Sequence, residues 1–319
     1  MSYELLIQNG NTIYSPCVEE SITWDTERKG VPGKLSFVVL KDDIIKFEEG
    51  DAVRFKENDD SIFYGFVFSK KRGKDGNITV TAYDQLRYLK NKDTYVYVNK
   101  TAGEVVKMIA SDFLLNTGTI ANTKYKIAQR AEDNKTLFDI VQSALDLTMQ
   151  NAKEIYVLYD NFGKLMLENI ANLKVPIVID EQTGENFDYT SSIDEQTYNK
   201  IKLIFENEDT GKREVYIAQS SANINKWGVL QYFEKVNSST NIQAKANALL
   251  ELYNKKTRKL KITNAIGDNR VRAGSLIVVQ LDLGDIKVQN FMLVEKVKHT
   301  YKNQSHFMDL TLKGGEFIA

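Results

Sequence analysis

The sequence runs GDAVRF at residues 50–55, FYGFVFSKK at 63–71 and ITVTAY at 78–83. Apolar and polar side chains alternate in the first and third runs, and aromatic and β-branched side chains fill the middle run. Alternation with a period of two is typical of a β-strand with one buried face. A glycine-bearing turn, KDGN at 74–77, separates the last two runs. The stretch therefore predicts three short strands, of which the first comes after a glycine and the second ends in lysines.

The same unit recurs near the other end of the chain. There the sequence runs GSLIVV at 274–279, FMLVEKVKH at 291–299 and FMDLTL at 307–312. Each copy has a glycine-led strand, a longer strand rich in β-branched and aromatic residues, a turn, and an alternating third strand. Short strands separated by turns favour a small barrel or sandwich. We predict an α+β, β-rich fold with two similar small β-barrels in one chain, whose strand sets at 50–83 and 274–312 superpose.

The length of the chain predicts more than one domain. A single hydrophobic core stops growing at about 250–300 residues, so a chain of 319 residues is expected to form two or three domains. The hydrophobic and charged fractions, 42% and 27%, are ordinary for a soluble globular protein. Cys17 is the only cysteine, which excludes an intrachain disulfide bond.

The charge balance argues against nucleic acid as the main partner. The 42 basic and 43 acidic residues give a formal net charge of −1, whereas binding to phosphates needs a basic surface. The longest basic run, KKRGK at 70–74, falls in a predicted hairpin turn, and we interpret it as solvated.

The sequence contains no segment suited to a membrane. No stretch approaches the ~20 apolar residues of a membrane-spanning helix. The N-terminus lacks the basic and apolar segments of a signal peptide. We therefore expect no membrane span and synthesis in the cytoplasm without a signal peptide.

Changes of pattern along the chain predict three domains. Residues 1–93 carry alternating runs separated by glycine-bearing turns and form the first β-barrel. Residues 94–198 form a middle α+β domain. Residues 199–319 form the second β-barrel, with a helix inserted near 240–256, where apolar side chains share one helical face.

Two helices are predicted in the middle domain. TAGE at 101–104 has the pattern of a capping box, in which the Thr and Glu side chains cap the first helical turn. TLFD at 136–139 resembles a second helix start. The polar and acidic stretch 180–199 is irregular, and we interpret it as a loop between domains.

Acidic motifs in the sequence do not predict an enzyme. DTG at 209–211 matches the triplet of aspartic proteases, but that chemistry needs two buried carboxylates that share a proton. Charged residues flank the triplet, so we predict a hairpin turn there. The pairs Glu48-Glu49 and Asp180-Glu181 could form a glycosidase couple, but each lies in a polar turn, where its pKa would not be raised.

The two histidines, His299 and His306, flank the last predicted turn. A tetrahedral metal site needs further nitrogen or sulfur ligands, and none has a suggestive spacing. We interpret both histidines as surface or strand-end residues. No nucleophile elbow, dinucleotide-binding or phosphate-binding motif is present. The sequence therefore predicts no catalytic, cofactor-binding or metal-binding residues.

Several segments together resemble the XkdQ-like tail hub proteins of contractile injection machines, found in PBSX-type prophages and R-type bacteriocins. The resemblance covers nearly the whole chain. It is carried by structural signatures without catalytic content: SITW at 21–24, GVPGKLSF at 30–37, EGDAVRF at 49–55, FYGFV at 63–67, YDQLRYL at 83–89, GSL at 274–276 and VEKVKH at 294–299. Such hubs are similar to the central hubs of contractile phages and to the hub part of type VI secretion spikes.

The resemblance implies a homotrimeric, non-enzymatic structural protein without cofactors. Three chains with two barrels each would form a ring of six, with the six-fold tail tube or a tube-initiator protein on one side and a three-fold spike on the other. Other baseplate proteins would be further partners. We expect synthesis in the bacterial cytoplasm and assembly into a phage tail or tail-like particle. A fused lytic domain, present in some family members, is not expected, because the chain ends at Ala319 after the last predicted strand.

Two other functions are weighed against the hub. A carbohydrate- or receptor-binding tail module would need an exposed aromatic platform, whereas the 16 Tyr and 15 Phe lie mostly at alternating strand positions. A peptidoglycan hydrolase would need a catalytic carboxylate, and the acidic pairs lie in polar turns.

Overall fold

The computed structural model describes residues 2–194, 196–207, 211–236, 241–284 and 287–314. Strands far outnumber helices in these residues, which confirms the β-rich α+β class. The α-helices are α1 (Ala102–Asp112), α2 (Leu137–Ala152), α3 (Ser221–Trp227) and α4 (Ile242–Tyr253), and two 3-10 helices span Gln85–Lys90 and Ile170–Asn172. The strands are β1 (Tyr3–Asn9), β2 (Thr12–Tyr14), β3 (Ser21–Glu27), β4 (Lys34–Val39), β5 (Ala52–Glu57), β6 (Asp60–Arg72), β7 (Ile78–Tyr83), β8 (Lys92–Thr101), β9 (Thr117–Ile120), β10 (Lys126–Thr136), β11 (Tyr156–Asp160), β12 (Leu165–Asn169), β13 (Lys174–Ile179), β14 (Asn186–Ser192), β15 (Lys200–Asn207), β16 (Lys212–Gln219), β17 (Gln231–Val236), β18 (Thr257–Ile266), β19 (Leu276–Asp282), β20 (Lys287–Lys302) and β21 (Ser305–Lys313).

The chain divides into two compact units. The main unit comprises Met1–Asp188 and Leu260–Ala319, and the small unit comprises Tyr189–Lys259. The two boundaries between the units fall inside β14 and β18. The three predicted domains stay a prediction.

The small unit contains a three-stranded sheet and a helix. β15 lies between antiparallel β16 and parallel β17. α4 supplies Ile242, Ala246 and Leu249 to a core cluster that also holds Ile201 and Leu203 of β15. This helix lies where the sequence predicts one near 240–256.

The main unit is built on a long sheet in which one strand order occurs twice. The orders are β3-β4-β7-β6-β5-β1 in the first copy and β14-β18-β21-β20-β19-β13 in the second. One neighbour differs in direction, because β1 is antiparallel to β5 whereas β13 is parallel to β19. The sequence repeat is therefore a repeat of strand pairing, and both copies belong to one sheet, which they share where β20 pairs with β3.

A glycine anchors each copy in the same way. The N–H of Gly50 donates to the carbonyl of Val67 at 2.8 Å, and the N–H of Gly274 donates to that of Val294 at 2.8 Å. Each valine returns a bond of 2.9 Å to the carbonyl of the residue after the glycine. The φ angles of the glycines are 98° and 96°, a region that favours glycine. The ladder to the third strand shifts register directly after each valine.

The middle of the chain packs around a core of its own within the main unit. Thr101 and Glu104 form a capping box at the start of α1, and Thr136 caps α2 by accepting from the N–H of Asp139. Both predicted helix starts are thereby confirmed. The two helices share a core cluster with residues of β8, β10 and β12. None of the helices in the described ranges is long and apolar enough to cross a membrane.

The loop predicted at 180–199 is wrong in its central part. The structure places β14 there, at Asn186–Ser192, and this strand pairs with β18. Most of its side chains are exposed, so the segment lacks the alternation that indicates a strand with one buried face. The acidic stretch is thus an edge strand of the main sheet.

Candidate functional site

The two copies meet where the C-terminal half of β20 pairs with β3. Seven residue pairs join 296–302 of β20 to 21–27 of β3 in antiparallel register. Just beyond this ladder, Arg28 donates to both carboxylate oxygens of Glu295 at 3.0 and 2.8 Å. We call this ladder and the side chains buried against it the copy junction.

His299 and His306 form a buried pair at the copy junction. The Nε2 of His299 lies 2.9 Å from the carbonyl oxygen of Val271, which can only accept, so this nitrogen carries the proton. The Nδ1 of His299 therefore accepts from the Nε2 of His306 at 2.8 Å. Trp24 of the first copy stacks on His299, with ring centres 4.8 Å apart. The predicted surface location is wrong, because the two residues are 0% and 6% exposed, whereas His306 does lie at a strand end, as the second residue of β21.

Burial favours the neutral form of both imidazoles. It lowers the pKa of His299 to about 3 and that of His306 to about 4, because the charged ring would lose its hydration. A carboxylate oxygen of Glu57 lies 3.7 Å from the Nδ1 of His306. Among the residues that the structure describes, no group of three or more His, Cys, Asp or Glu side chains could hold a metal ion. The absence of a metal site stays a prediction.

Tyr301 of the second copy completes the core of the first. Its ring is fully buried, and the ring centre lies 4.9 Å from that of Phe55 in the core cluster of the first copy. Its hydroxyl donates to the side-chain oxygen of Asn269 at 3.0 Å. Burying a large aromatic side chain contributes roughly 1.5–3 kcal/mol. The core of the first copy therefore depends on β20.

A second buried polar group connects three parts of the main unit. Asp84 comes directly after the last strand of the first copy, Asp160 ends β11 of the middle segment, and Arg272 precedes β19 of the second copy. The Nη1 of Arg272 donates to the backbone carbonyl of Asp160 at 2.9 Å. Its guanidinium carbon lies 4.7 Å from the ring centre of Tyr159. We call Asp84, Asp160 and Arg272 the arginine–carboxylate cluster.

Every carboxylate oxygen of this cluster accepts a hydrogen bond from the chain. The donors are the backbone N–H groups of Gly33, Leu86 and Gly163 and the side-chain amide of Gln85, at 2.7–3.0 Å. A Cβ on Gly33 would lie 2.3 Å from a carboxylate oxygen of Asp84, so this close approach requires glycine. The bonds indicate that the carboxylates position chain segments.

Burial sets the electrostatics of the arginine–carboxylate cluster. It raises the pKa of Asp160 to about 6. Burial first, and the charge of Asp160 second, raise the pKa of Asp84 well above its usual range. Burial also lowers the pKa of Arg272. Sequence reasoning missed all three residues, although Asp84 lies in the YDQLRYL motif and Arg272 stands two residues before the anchoring Gly274.

The acidic pairs that the sequence singles out lie elsewhere. Glu48, Glu49 and Glu181 are exposed. Hydrogen bonds, that from the Thr183 hydroxyl first, lower the pKa of Asp180. These carboxylates are therefore not brought into the buried cluster, where the pKa of a carboxyl group is raised.

The Asp-Thr-Gly triplet at 209–211 lies between β15 and β16. These strands are antiparallel and bring Asn207 opposite Lys212, which agrees with the predicted hairpin. Asp209 and Thr210 lie outside the described residues, as does the chain end at 315–319.

Curated relatives cover nearly the whole chain. A family model described as YQBQ-like matches residues 22–313. The uncharacterized protein YqbQ of Bacillus subtilis strain 168 is 32% identical over 305 residues, which are 92% of this chain and 91% of that protein. The phage-like element PBSX protein XkdQ of the same strain is 29% identical over 312 residues, which are 94% of both chains.

Solved structures share the fold at low sequence identity. The 43 kDa tail protein of prophage MuSo2 from Shewanella oneidensis aligns with a TM-score of 0.71 and 12% identity over 99% of this chain and 100% of its own. The E. coli c3393 protein, a component of the type VI secretion system with structural similarity to the T4 bacteriophage tail proteins gp27 and gp5, aligns with a TM-score of 0.57 and 11% identity over 98% and 78%. These matches confirm the resemblance on which the sequence motifs converge. Because the family match spans both copies of the repeat and the segment between them, the chain belongs to the YQBQ-like family.

Proposed function

We propose that this chain is the structural baseplate hub of a contractile phage tail or phage-tail-like particle. In this role it forms a homotrimer that connects the six-fold tail tube, or a tube-initiator protein, to the three-fold spike. Other baseplate proteins contact the trimer from outside. The protein is made in the bacterial cytoplasm and acts in the assembled particle.

The duplicated strand order carries the proposal. Each copy curls into a small barrel, so that three chains present six nearly equivalent barrels to the tube. Closed rings use repeated equivalent interfaces, and the matching hydrogen bonds of Gly50 and Gly274 support the equivalence of the copies. The copies differ in their connections, because the middle segment leads away from the first copy and into the second. The six barrels therefore follow six-fold symmetry only approximately, whereas the three identical chains follow three-fold symmetry strictly.

The relatives support the same role. XkdQ belongs by name to a phage-like element, the MuSo2 protein is a tail protein, and c3393 is a component of a secretion system. The proposal carries this context over to the present chain. Exposed apolar side chains such as Val96 and Val98 on β8, and Phe233 in the small unit, offer contact area for assembly.

The oligomeric mass tests the proposal. Light scattering or sedimentation should measure three chains for the full-length protein, alone at high concentration or together with purified spike and tube proteins. A single-chain mass at every concentration, with both partners present, would contradict the hub.

The proposed role requires no catalysis. Both buried carboxylates, Asp84 and Asp160, already accept bonds on all their oxygen atoms from groups of the chain. We expect no clearing of peptidoglycan in a zymogram. A cleared band that disappears in an Asp160→Asn variant of equal stability would favour the hydrolase alternative and contradict this part of the proposal.

A further inference from the structure

β20 has two partners on one of its edges. Its first half pairs with β19 over residues 287–293, and its second half pairs with β3 over 296–302. β21 occupies the opposite edge. Since β3 belongs to the other copy, the second half of this edge is where the copies join.

β6 is the counterpart of β20 in the first copy, and the second half of its corresponding edge is paired with no strand of the described residues. Its first half pairs with β5, and β7 occupies the opposite edge. In the part of the chain that the structure describes, no strand pairs with residues 69–72 on the side of β5. The N–H of Gly73 donates to the carbonyl of Asn77 in the turn towards β7. By antiparallel alternation, the backbone groups of Lys70 and Arg72 therefore point to the open edge.

β14 provides the complementary edge. It is the counterpart of β3, because β14 precedes and pairs with β18 as β3 precedes and pairs with β4. β14 is the last strand at its end of the sheet order, and most of its side chains are exposed. An unpaired strand edge is a template for pairing with another chain. Among the described strands, β3 of the first copy is therefore paired with β20, whereas the outer edge of β14 in the second copy has no such partner.

The charges of the two open edges are complementary. Residues 69–74 carry four basic side chains and no acidic one, and the whole stretch 175–199 carries six acidic side chains and no basic one. The ladder of the copy junction has the same polarity, because Lys296 of β20 lies 3.7 Å from Glu27 of β3, whereas the Arg28–Glu295 pair just beyond the ladder has the opposite polarity. Opposite charges across an interface favour one partner and one orientation.

We propose that β14 of one chain pairs antiparallel with residues 69–72 of β6 in a second copy of the chain. This contact repeats between chains the junction that β20 and β3 form within one chain. The contact joins two different edges of the chain, so it is a heterologous, head-to-tail interface. Such an interface forms a closed ring when the rotation between neighbouring chains divides a full turn evenly. That the ring contains three chains rests on the proposed function. The pairing of the two edges does not depend on it.

The junction between chains is shorter than the junction within a chain. β6 offers four residues beyond its register shift, whereas β20 pairs with β3 through seven. Fewer ladder bonds make the contact between chains the weaker of the two. We therefore expect association to depend on protein concentration and to be strengthened by the spike and tube proteins.

Cross-linking of two isotopic forms of the full-length chain tests the pairing. Unlabelled and heavy-nitrogen-labelled protein are mixed, alone and with spike and tube proteins, and treated with a carbodiimide that joins lysines to carboxylates in direct contact. We expect linked peptides that join Lys71 or Lys74 to Glu185 or Asp188, with one light and one heavy member. Lys70 is excluded because its Nζ donates to the carbonyl of Phe47 and lies 3.6 Å from Glu49 of the same chain. Such mixed products arise only between chains.

Charge reversal provides an independent measurement. Lys71→Glu or Asp188→Lys places like charges across the edge and should raise the concentration needed for association by about tenfold. The double variant K71E/D188K restores opposite charges and should recover most of the association. Lys107→Glu reverses an exposed charge on α1 and should leave association unchanged.

The outcomes separate this inference from the proposed function. A trimer whose mixed products never join the two edges, and whose mass the reversals leave unchanged, overturns the inference and leaves the hub intact. Mixed products between the two edges in an assembly of another size support the inference and contradict the trimer. A single chain under all conditions, with spike and tube proteins present, overturns both.

Discussion

Arg272 holds a positive charge in a largely desolvated place, where burial lowers its pKa and the carboxyl groups of Asp84 and Asp160 lie nearby. Removing one partner from a buried charge cluster is costly because the other charges stay behind without compensation. We expect Arg272→Gln to lower the free energy of unfolding by about 3 kcal/mol, measured by chemical denaturation at neutral pH. Arg270→Gln is the matched control, since Arg270 is exposed and pairs with Asp268. Equal losses in both variants would contradict the structural role of the cluster.

The buried histidines make stability depend on pH. In the unfolded chain an imidazole has a pKa of about 6.5, whereas burial lowers the pKa values of His299 and His306 to about 3 and about 4. Between these values the unfolded state binds more protons than the folded state, so stability rises with pH in this window. The contribution is complete above about pH 6.5 and is lost as the pH falls towards 4.

A single substitution isolates this contribution. Asp160 acts in the opposite direction, because its raised pKa of about 6 favours the folded state as the pH falls below that value. The histidine term must therefore be measured as a difference between the wild type and His306→Gln. We expect the slope of unfolding free energy against pH between 6.5 and 4 to be less positive in the variant. Parallel curves would show that His306 binds its proton equally in the folded and unfolded states, which contradicts the lowered pKa. Glu57 and Asp268 are the acidic groups that face it.

The burial of His299 could have been predicted from its neighbours. In β20 it alternates in register with Val297 and Tyr301, and all three are buried, whereas Lys298 lies on the opposite face. The period-two pattern was present in the sequence. The surface location was nevertheless predicted, because the two histidines flank a predicted turn and are too few for a metal site. The arginine–carboxylate cluster had no such signal, because its members come from segments that are far apart in the sequence.

The two anchoring glycines allow a matched test at the level of the strand units. Among the described residues, a Cβ on Gly50 would meet no atom within 4 Å, whereas one on Gly274 would lie 2.7 Å from a methyl carbon of Val157. Both have positive φ angles. Gly50→Ala should therefore cost about 1–2 kcal/mol from backbone strain alone. Gly274→Ala should cost about 1–3 kcal/mol more from the clash.

A double-mutant cycle separates the two causes. Val157→Ala removes the clashing methyl groups, so it should cost less in the Gly274→Ala background than in the wild type. In the Gly50→Ala background its cost should be unchanged. Urea denaturation provides all six free energies of unfolding. Additive costs at both glycines would mean that Val157 does not restrict position 274.

Local signals and long-range pairing differ in how far the sequence reveals them. The repeat was visible because each strand shows its own alternation and each copy begins at a glycine. β14 was missed because its exposed polar side chains carry no alternation. The sequence did not reveal the pairing of β20 with β3, because neither strand carries a local pattern that identifies a partner about 275 residues away.

At the scale of the whole molecule, the small unit is an insertion between two paired strands. β14 ends at Ser192 and β18 begins at Thr257, and the hydroxyl of Thr257 donates to the carbonyl of Ser192 at 3.2 Å. The chain thus leaves and returns at one place. Replacing residues 193–256 by Asn-Gly, a favoured hairpin turn, should preserve the cooperative unfolding and the strand-rich circular dichroism of the remainder. Loss of the cooperative transition would show that the main unit needs the insertion.

The dependence of the first copy on Tyr301 also constrains the synthesis of the protein. β3 leaves the ribosome early, but the residues of β20 that cover it are made about 275 residues later. At about 5–20 residues per second, the nascent chain spends roughly 15–55 s with an uncovered strand and a missing core side chain. A chain that stops before β20 would lack both the strand that pairs with β3 and the Tyr301 side chain that completes the core of the first copy.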